Sequence, residues 1–172
     1  WHNELKKERK VQATDGMKGS YLGPKCINEN IEKDLSLLGA NFVKMKEDQI
    51  IESAAKALSE QKTVGWFQGR MEFGPRALGG RSILADPRSS NMQKELNLKI
   101  KFRESFRPFA PSILREDLNK WFDVNVDSPY MLLVAEIKKN LQIQMTDKDK
   151  NLFGIEKLNL KRSSIPAVTH VD

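Results

Sequence analysis

The sequence contains one cysteine, Cys26, in 172 residues. An internal disulfide is therefore excluded, and such usage fits a reducing cytoplasm. Histidine is nearly as scarce, with His2 and His170 as the whole set. Neither belongs to a His-x-x-x-His pair or a Cys–His cluster, so a structural zinc site is not supported. No run approaches the roughly 18 apolar residues of a membrane span, and no signal peptide is visible. The Gly-x-x-x-x-Gly-Lys-Ser/Thr phosphate loop is missing, which removes the P-loop proteins. The Gly-x-Ser-x-Gly nucleophile elbow is missing as well. No internal repeat is present.

Positive charge, by contrast, is plentiful. The net charge is +6 and the pI about 9.4. Anionic ligands such as nucleotides, phosphorylated metabolites or RNA fit that balance, and charge alone does not choose among them. The arginines are unevenly spread: six of the nine fall between 70 and 107. Arginine presents a planar fork to phosphate, so this clustering says more than the net charge. At 39% hydrophobic and 30% charged residues, the composition is that of a soluble globular protein. The length fits one domain, or one with a small appendage.

Residues 1–24 lack a sustained period and read as an arm or interdomain linker, ending in the extended Tyr21-Leu22-Gly23-Pro24. Asn28 or Asn30 is expected to cap a helix carrying Ile31, Leu35 and Leu38 on one face, with Gly39 ending it. Residues 41–45 are a strand candidate. Asp48 is expected to cap a second helix with Ile51, Ala54, Ala55 and Leu58 at helical spacing. Residues 63–67 and 82–85 read as strands, and 91–99 as a helix with Met92, Leu96 and Ile100 inward. Pro108 and Pro111 keep the following segment extended. Residues 112–114 are a weaker strand candidate, 116–122 a short helix, 130–137 the clearest strand of the C-terminal half, and 165–171 a final strand. The lysine-rich stretch 138–162 reads as an insertion. Alternating helices and short apolar strands make α/β the expected class. Beginning at Trp1 and stopping inside a strand-like run, the chain is expected to be a piece of something longer.

The stretch Gly69-Arg70-Met71-Glu72-Phe73-Gly74-Pro75-Arg76-Ala77-Leu78-Gly79-Gly80-Arg81-Ser82 stands out. Four glycines and a proline between two strands make a backbone-controlled loop, and three arginines load it with guanidinium groups. An anion pocket and a tight loop whose arginines pair with surface carboxylates are both open on composition. A second constellation is Lys101-x-Arg103-x-x-x-Arg107-Pro108. In extended backbone residues 101 and 103 share a face, a pairing suited to a polyphosphate, although an exposed basic edge strand has the same pattern. Phe102, Phe106 and Phe109 interleave the charges and could stack a base or pack in the core. Glu72 and Asp86 are the nearest carboxylates. Either is a candidate for nucleotide-bound Mg²⁺, while orienting an arginine is the commoner job. In the alternating 169–172 stretch His170 and Asp172 share one face, and hydrogen bonding is the modest role for His170.

The run from Gly69 to Arg88 resembles, nearly letter for letter, the signature of the NodU/CmcH-type O-carbamoyltransferases, of which the nodulation carbamoyltransferases are members. Those sequences usually carry Asn where this chain has Gly80. Tyr21-Leu22-Gly23-Pro24, the 106–111 stretch Phe-Arg-Pro-Phe-Ala-Pro, and the 165–172 stretch Ile-Pro-Ala-Val-Thr-His-Val-Asp agree as well. The resemblance implies that residues 25–172 form the C-terminal, YrdC-like domain, a twisted mixed sheet with flanking helices, truncated at its C-terminus. Its N-terminal partner in the same polypeptide would be an actin-like domain. That domain, absent here, would hold iron or another metal and transfer carbamoyl to an acceptor hydroxyl.

The implied reaction takes carbamoyl phosphate and ATP to carbamoyl-adenylate, pyrophosphate and phosphate, with Mg²⁺ accompanying the nucleotide. Lys101-x-Arg103 is also similar to the Lys-x-Arg motif of threonylcarbamoyl-adenylate synthases. On this resemblance Arg76, Lys101 and Arg107 would act on the ATP phosphates. Arg70, Arg81 and Arg103 would hold carbamoyl phosphate or order the loop, and Ser82, Thr169 and His170 would add polar contacts. Such chemistry asks a protein to position anions and stabilise spread charge, which fits arginines without a catalytic triad. A non-catalytic docking domain and a basic nucleic-acid-binding module are the alternatives. The first predicts internally paired arginines and shallow pockets. The second predicts steep salt dependence. No membrane partner is expected.

Overall fold

The computed structural model describes residues 2–6 and 13–169. Helix α1, Asn28–Leu37, starts from extended Ile27 without a side-chain cap, so neither Asn28 nor Asn30 caps it. It ends as expected at Gly39, whose φ of 65° is the left-handed turn that a residue without a Cβ takes at least cost. The amides of Gly39 and Ala40 then bond back to the carbonyls of Ser36 and Leu35 at 3.1 and 3.0 Å. Ile31 and Leu35 face inward, but Leu38 is 81% exposed. Helix α2, Glu47–Ser59, begins one residue before Asp48. Its entry is fixed by Gln49, whose Oε1 accepts the Lys46 amide at 3.1 Å. Its inner face is Ala54, Ala57 and Leu58, while Ile51 and Ala55 turn outward.

Strands β1, Val64–Phe67, and β2, Arg81–Leu84, lie close to the expected 63–67 and 82–85 and pair antiparallel. Val64 pairs with Leu84 and Phe67 with Arg81. The Arg81 guanidinium carbon lies 3.3 Å from the centroid of the Phe67 ring, directly across the ladder. That cation–π contact closes the base of the Gly-rich loop.

The chain then enters helix α3, Met92–Glu95, which continues as one π-helical turn over Leu96–Ile100. The Lys101 amide reaches back five residues to the Leu96 carbonyl at 2.9 Å. Met92 and Leu96 are buried as expected, whereas the wider turn carries Ile100 out to 41% exposure. Met92, Leu96 and Ala167 make the central cluster, with Ala85 and Phe109 packed against it. This cluster joins the end of β2, α3 and the proline-rich segment.

The α/β class holds: helices accompany a small antiparallel sheet. Several strand expectations do not hold as ladders. Residues 41–45 and 112–114 are irregular. In 130–137 only Ile137 is bridged, to Phe122, while the Tyr130 hydroxyl donates to Asp15. Leu132 and Val134 are 80% and 96% exposed. A β-suited sequence needs a neighbouring strand to satisfy its backbone, and among the described residues this segment has none. Of the 165–171 expectation, residues 170 and 171 lie outside the described residues; in 165–169 Pro166 opens a 3₁₀ turn, Pro166–Val168, for which its fixed φ is suited. Residues 116–122 are helical as expected, as a 3₁₀ turn Arg115–Asp117 and helix α4, Leu118–Trp121. Within 138–162 short turns prevail, including α helix Asp147–Lys150.

The accessible surface is 14146 Å². A compact monomer of this mass would expose roughly 8,600 Å². Much apolar surface therefore stays uncovered; the β1–β2 ladder carries the Gly-rich loop, and the small central cluster holds the proline-rich segment.

Candidate functional site

The Gly-rich loop is built around one carboxylate. Glu72 is 6% exposed. Its Oε1 accepts the amides of Leu78 and Gly80 at 2.7 Å each and of Arg81 at 3.3 Å. Burial alone would push this carboxyl up. The backbone amides of Leu78, Gly80 and Arg81, with Glu72's own, outweigh burial and hold it below its ordinary value. The loop therefore folds as an anion nest whose anion is the protein's own side chain. Ser82 completes it by accepting the Gly79 amide at 2.9 Å. An incoming phosphate would have to be held by side chains, because these main-chain donors are already used.

The arm 20–25 lies against this loop. The Gly23 amide donates to Met71 O at 2.9 Å and the Met71 amide to Pro24 O at 3.0 Å. The Tyr21 hydroxyl donates to the Leu78 carbonyl at 2.5 Å. Burial, aided by the charge of Glu72, raises the Tyr21 phenol above its usual value. Gly80 sits where a Cβ would come within 2.8 Å of the Arg70 carbonyl and 3.1 Å of the Tyr21 ring. Only a bare backbone fits between arm and loop without a shift.

The arginines fall into two groups. Arg81 is spent on the loop, donating to Gln68 O at 2.9 Å and Gly80 O at 2.7 Å while stacked on Phe67. Arg70 donates to Gly23 O at 2.9 Å and holds the arm. Arg88 clasps Asp86 through Nε and Nη2, at 2.9–3.0 and 2.6 Å. This pair, chiefly its hydrogen bonds, holds Asp86 below and Arg88 above their ordinary pKa values. The side chains of Arg76 and Lys101 are exposed and show no hydrogen bond or ion pair among the described residues. Arg107 uses Nε on Glu104 at 2.9 Å and leaves its terminal nitrogens outward.

The 101–103 geometry differs from the expected extended face. Lys101 closes the π turn in a helical conformation, and Phe102 has φ 49°. The backbone turns instead of alternating, so Lys101 points to solvent while Arg103 folds back. Arg103 donates to Asn97 Oδ1 at 2.6 Å and lies 5.0 Å over the Phe109 ring. Phe109 packs in the core, whereas Phe102 and Phe106 are 85% and 52% exposed. No hydrogen bond or ion pair among the described residues joins 69–82 to 101–107. Both segments are anchored instead to the central cluster, through Ala85 and Phe109.

Sequence reasoning missed the residues that hold the second segment. Asn97 is fully buried, and its Nδ2 donates to the carbonyls of Ser105 and Arg107 at 3.0 and 2.9 Å. Gln93, one turn earlier, donates to the carbonyls of Phe106 and Arg107 at 3.2 and 3.1 Å. The available signal was Asn97 itself, a poor helix former between Leu96 and Leu98. Ser163, likewise fully buried, was missed. Its hydroxyl accepts the Ile165 amide at 3.1 Å and meets Thr169 Oγ1 at 2.5 Å. Thr169 donates in turn to Ile165 O at 2.9 Å. Its proton is thus committed within the chain. His170 lies outside the described residues.

Neither carboxylate suits a divalent cation. Both Asp86 oxygens face Arg88, and Glu72 Oε1 is filled by amides. Of the two jobs weighed for them, Asp86 orients an arginine and Glu72 organises backbone. Among the described residues no group of three or more His, Cys, Asp or Glu could hold a metal. A recess of about 40 Å³ is lined by Gln93, Lys94, Ser105, Phe106 and Lys161 among others, and a larger, more open one of about 400 Å³ by Lys62, Glu95 and Lys99 among others. Arg70, Arg76, Arg81, Lys101, Arg103 and Arg107 line neither. No helix among the described residues is long and apolar enough to cross a membrane.

Residues 55–172 match the family described as carbamoyltransferase C-terminus. An uncharacterized protein of Synechocystis is 52% identical over all of this chain, which covers 28% of that relative. The nodulation protein NolO of Bradyrhizobium diazoefficiens is 42% identical over 88% of this chain, covering 25% of its own length. The 3'-hydroxymethylcephem-O-carbamoyltransferase of Streptomyces clavuligerus is 37% identical over 69%, covering 18% of its own length. The chain thus spans less than a third of these curated relatives.

Proposed function

Because the chain belongs to the carbamoyltransferase C-terminus family, we propose that it is the nucleotide-handling domain of an O-carbamoyltransferase. In this reading it binds ATP and carbamoyl phosphate and forms carbamoyl-adenylate. Water attacks carbamoyl phosphate, the carbamoyl–phosphate linkage is cleaved, and carbamate and phosphate result. A carbamate oxygen then attacks the α-phosphorus of ATP, the bond to the β-phosphate bridging oxygen breaks, and pyrophosphate leaves. The carbamoyl group would pass to an acceptor hydroxyl in an N-terminal domain of the same polypeptide. Mg²⁺ enters with the nucleotide, not through Glu72 or Asp86.

The supporting observation is the division among the cations. Arg81 and Arg70 are used in building the loop, and Arg88 in pairing Asp86. Arg76, Lys101 and the outer nitrogens of Arg107 remain turned to solvent. Those three would bear on the ATP phosphates, with Arg103 held behind them. The test is pyrophosphate release from ATP and carbamoyl phosphate by the full-length protein carrying this chain. Arg76→Ala, Lys101→Ala and Arg107→Ala are each expected to weaken ATP binding, measured by calorimetry, by about tenfold or more. A complete protein that binds no ATP at all would refute the reading.

One observation favours the docking alternative. Most of the arginines bond within the chain, neither cavity contains them, and apolar side chains such as Leu132 and Val134 stand uncovered. A docking domain would bury that surface against the rest of the protein. It predicts full-length protein whose ATP affinity is indifferent to Arg76, Lys101 and Arg107.

A further inference from the structure

We infer that Asn97, assisted by Gln93, is the positioning residue that sets where Arg103 and Arg107 present their charges. The inference rests on the proposed nucleotide-handling role for its consequence, although the grip itself is a matter of geometry. Asn97 is 0% exposed at the π turn. It satisfies all the polarity of one short amide against one segment. Oδ1 takes the Arg103 Nε at 2.6 Å, and Nδ2 gives to the carbonyls of residues 105 and 107. The Asn97 carbonyl also accepts the Arg103 amide at 2.9 Å. Four bonds from one residue thus fix both ends of 103–107.

Orientation of the amide is what matters here. Its acceptor faces the guanidinium and its donors face two carbonyls, so no carboxylate, hydroxyl or apolar residue of similar size can replace it. Gln93 adds two donors to the same segment, on the carbonyls of Phe106 and Arg107. The π turn explains how both fit. It inserts one residue after Leu96, which brings position 97 under the segment while Met92 and Leu96 stay in the core. A guanidinium displaced by about 1 Å from a reacting phosphate can cost on the order of a hundredfold. Such a grip therefore has leverage without touching substrate.

The discriminating variant is Asn97→Asp in the full-length protein. It keeps the acceptor for Arg103 but turns an oxygen toward the carbonyls of 105 and 107. Two readouts are taken. Hydrogen exchange of the 101–109 amides, followed by mass spectrometry, reports the grip without any substrate. KM for ATP and kcat, from pyrophosphate release, report its consequence. Faster exchange of 101–109, with KM for ATP raised about tenfold or more, is expected. A purely structural loss would lower active protein and kcat and leave KM unchanged. Wild-type exchange in 101–109, or an unchanged KM, overturns the inference. Wild-type protein that releases no pyrophosphate sinks the proposed function alone, and the exchange comparison still decides whether Asn97 holds the segment. Should Asn97→Asp not fold, Gln93→Ala removes two of the same donors from a partly exposed position and carries both readouts.

Discussion

Replacing Glu72 by Gln tests whether the Gly-rich loop is organised by an internal anion. Gln keeps an oxygen near the amides of Leu78, Gly80 and Arg81 but removes the charge. Hydrogen bonds to a charged acceptor contribute about 1.5–3 kcal/mol each, and neutral ones about 0.5–1.5. The two bonds at 2.7 Å therefore lose about 1 kcal/mol apiece, while the third, at 3.3 Å, is too long to count for much. The expected cost is about 2 kcal/mol at pH 7, a fall in Tm of about 4–8 °C for a chain of this size. The pH dependence carries the sign. Glu72's carboxyl is held below its ordinary value in the folded protein. Its contribution is then fully present above the unfolded pKa, about 4.3, and is lost as pH falls through the folded value. Scanning calorimetry of wild type and Glu72→Gln from pH 7 down to 3.5 should show the gap in Tm narrowing below about pH 4.3. An equal Tm at pH 7, or a gap that widens on acidification, would refute the account of the loop.

Other outcomes follow from single contacts. Gly80→Ala drives a Cβ to 2.8 Å from the Arg70 carbonyl. It should cost about 2 kcal/mol, visible as a lower urea midpoint at unchanged m-value, since backbone cannot easily yield. Gly74→Ala is the contrast: nothing lies within 4 Å, so only its φ of 134° is strained. Gln61 closes α2 with φ 60°, a conformation that favours glycine. Gln61→Gly should raise the urea midpoint by an amount equal to about 0.5–1 kcal/mol, despite the loss of a 3.2 Å bond to Ser89. Ser164 Oγ is buried without a hydrogen-bond partner among the described residues. Ser164→Ala should therefore be neutral or stabilising by about 1 kcal/mol in thermal denaturation.

Much was legible in the residues. The apolar runs flanking the Gly-rich loop gave β1 and β2 nearly to the residue, because alternation and flanking glycines act locally. Gly39 ended α1 for the same local reason. The concentration of arginine between 70 and 107 marked the basic segments. The long signature from Gly69 to Arg88 carried the family, which rests on the order of side chains and needs no geometry.

What only the folded chain decided is which charges are free. Sequence spacing treats Arg70, Arg76, Arg81 and Arg88 alike, yet three bond inward and one does not. That partition depends on carbonyls distant along the chain, Gly23 for Arg70 and Gln68 for Arg81, and on Asp86 two residues before Arg88. The extended reading of 101–103 failed for a related reason. A π turn and a positive φ at Phe102 replace the extended backbone, and Asn97 bonds residues eight and ten positions away. Periodicity cannot register a single buried amide of this kind. Residues 130–137 show the converse limit, since strand propensity is local but a strand exists only when another chain segment supplies its hydrogen bonds.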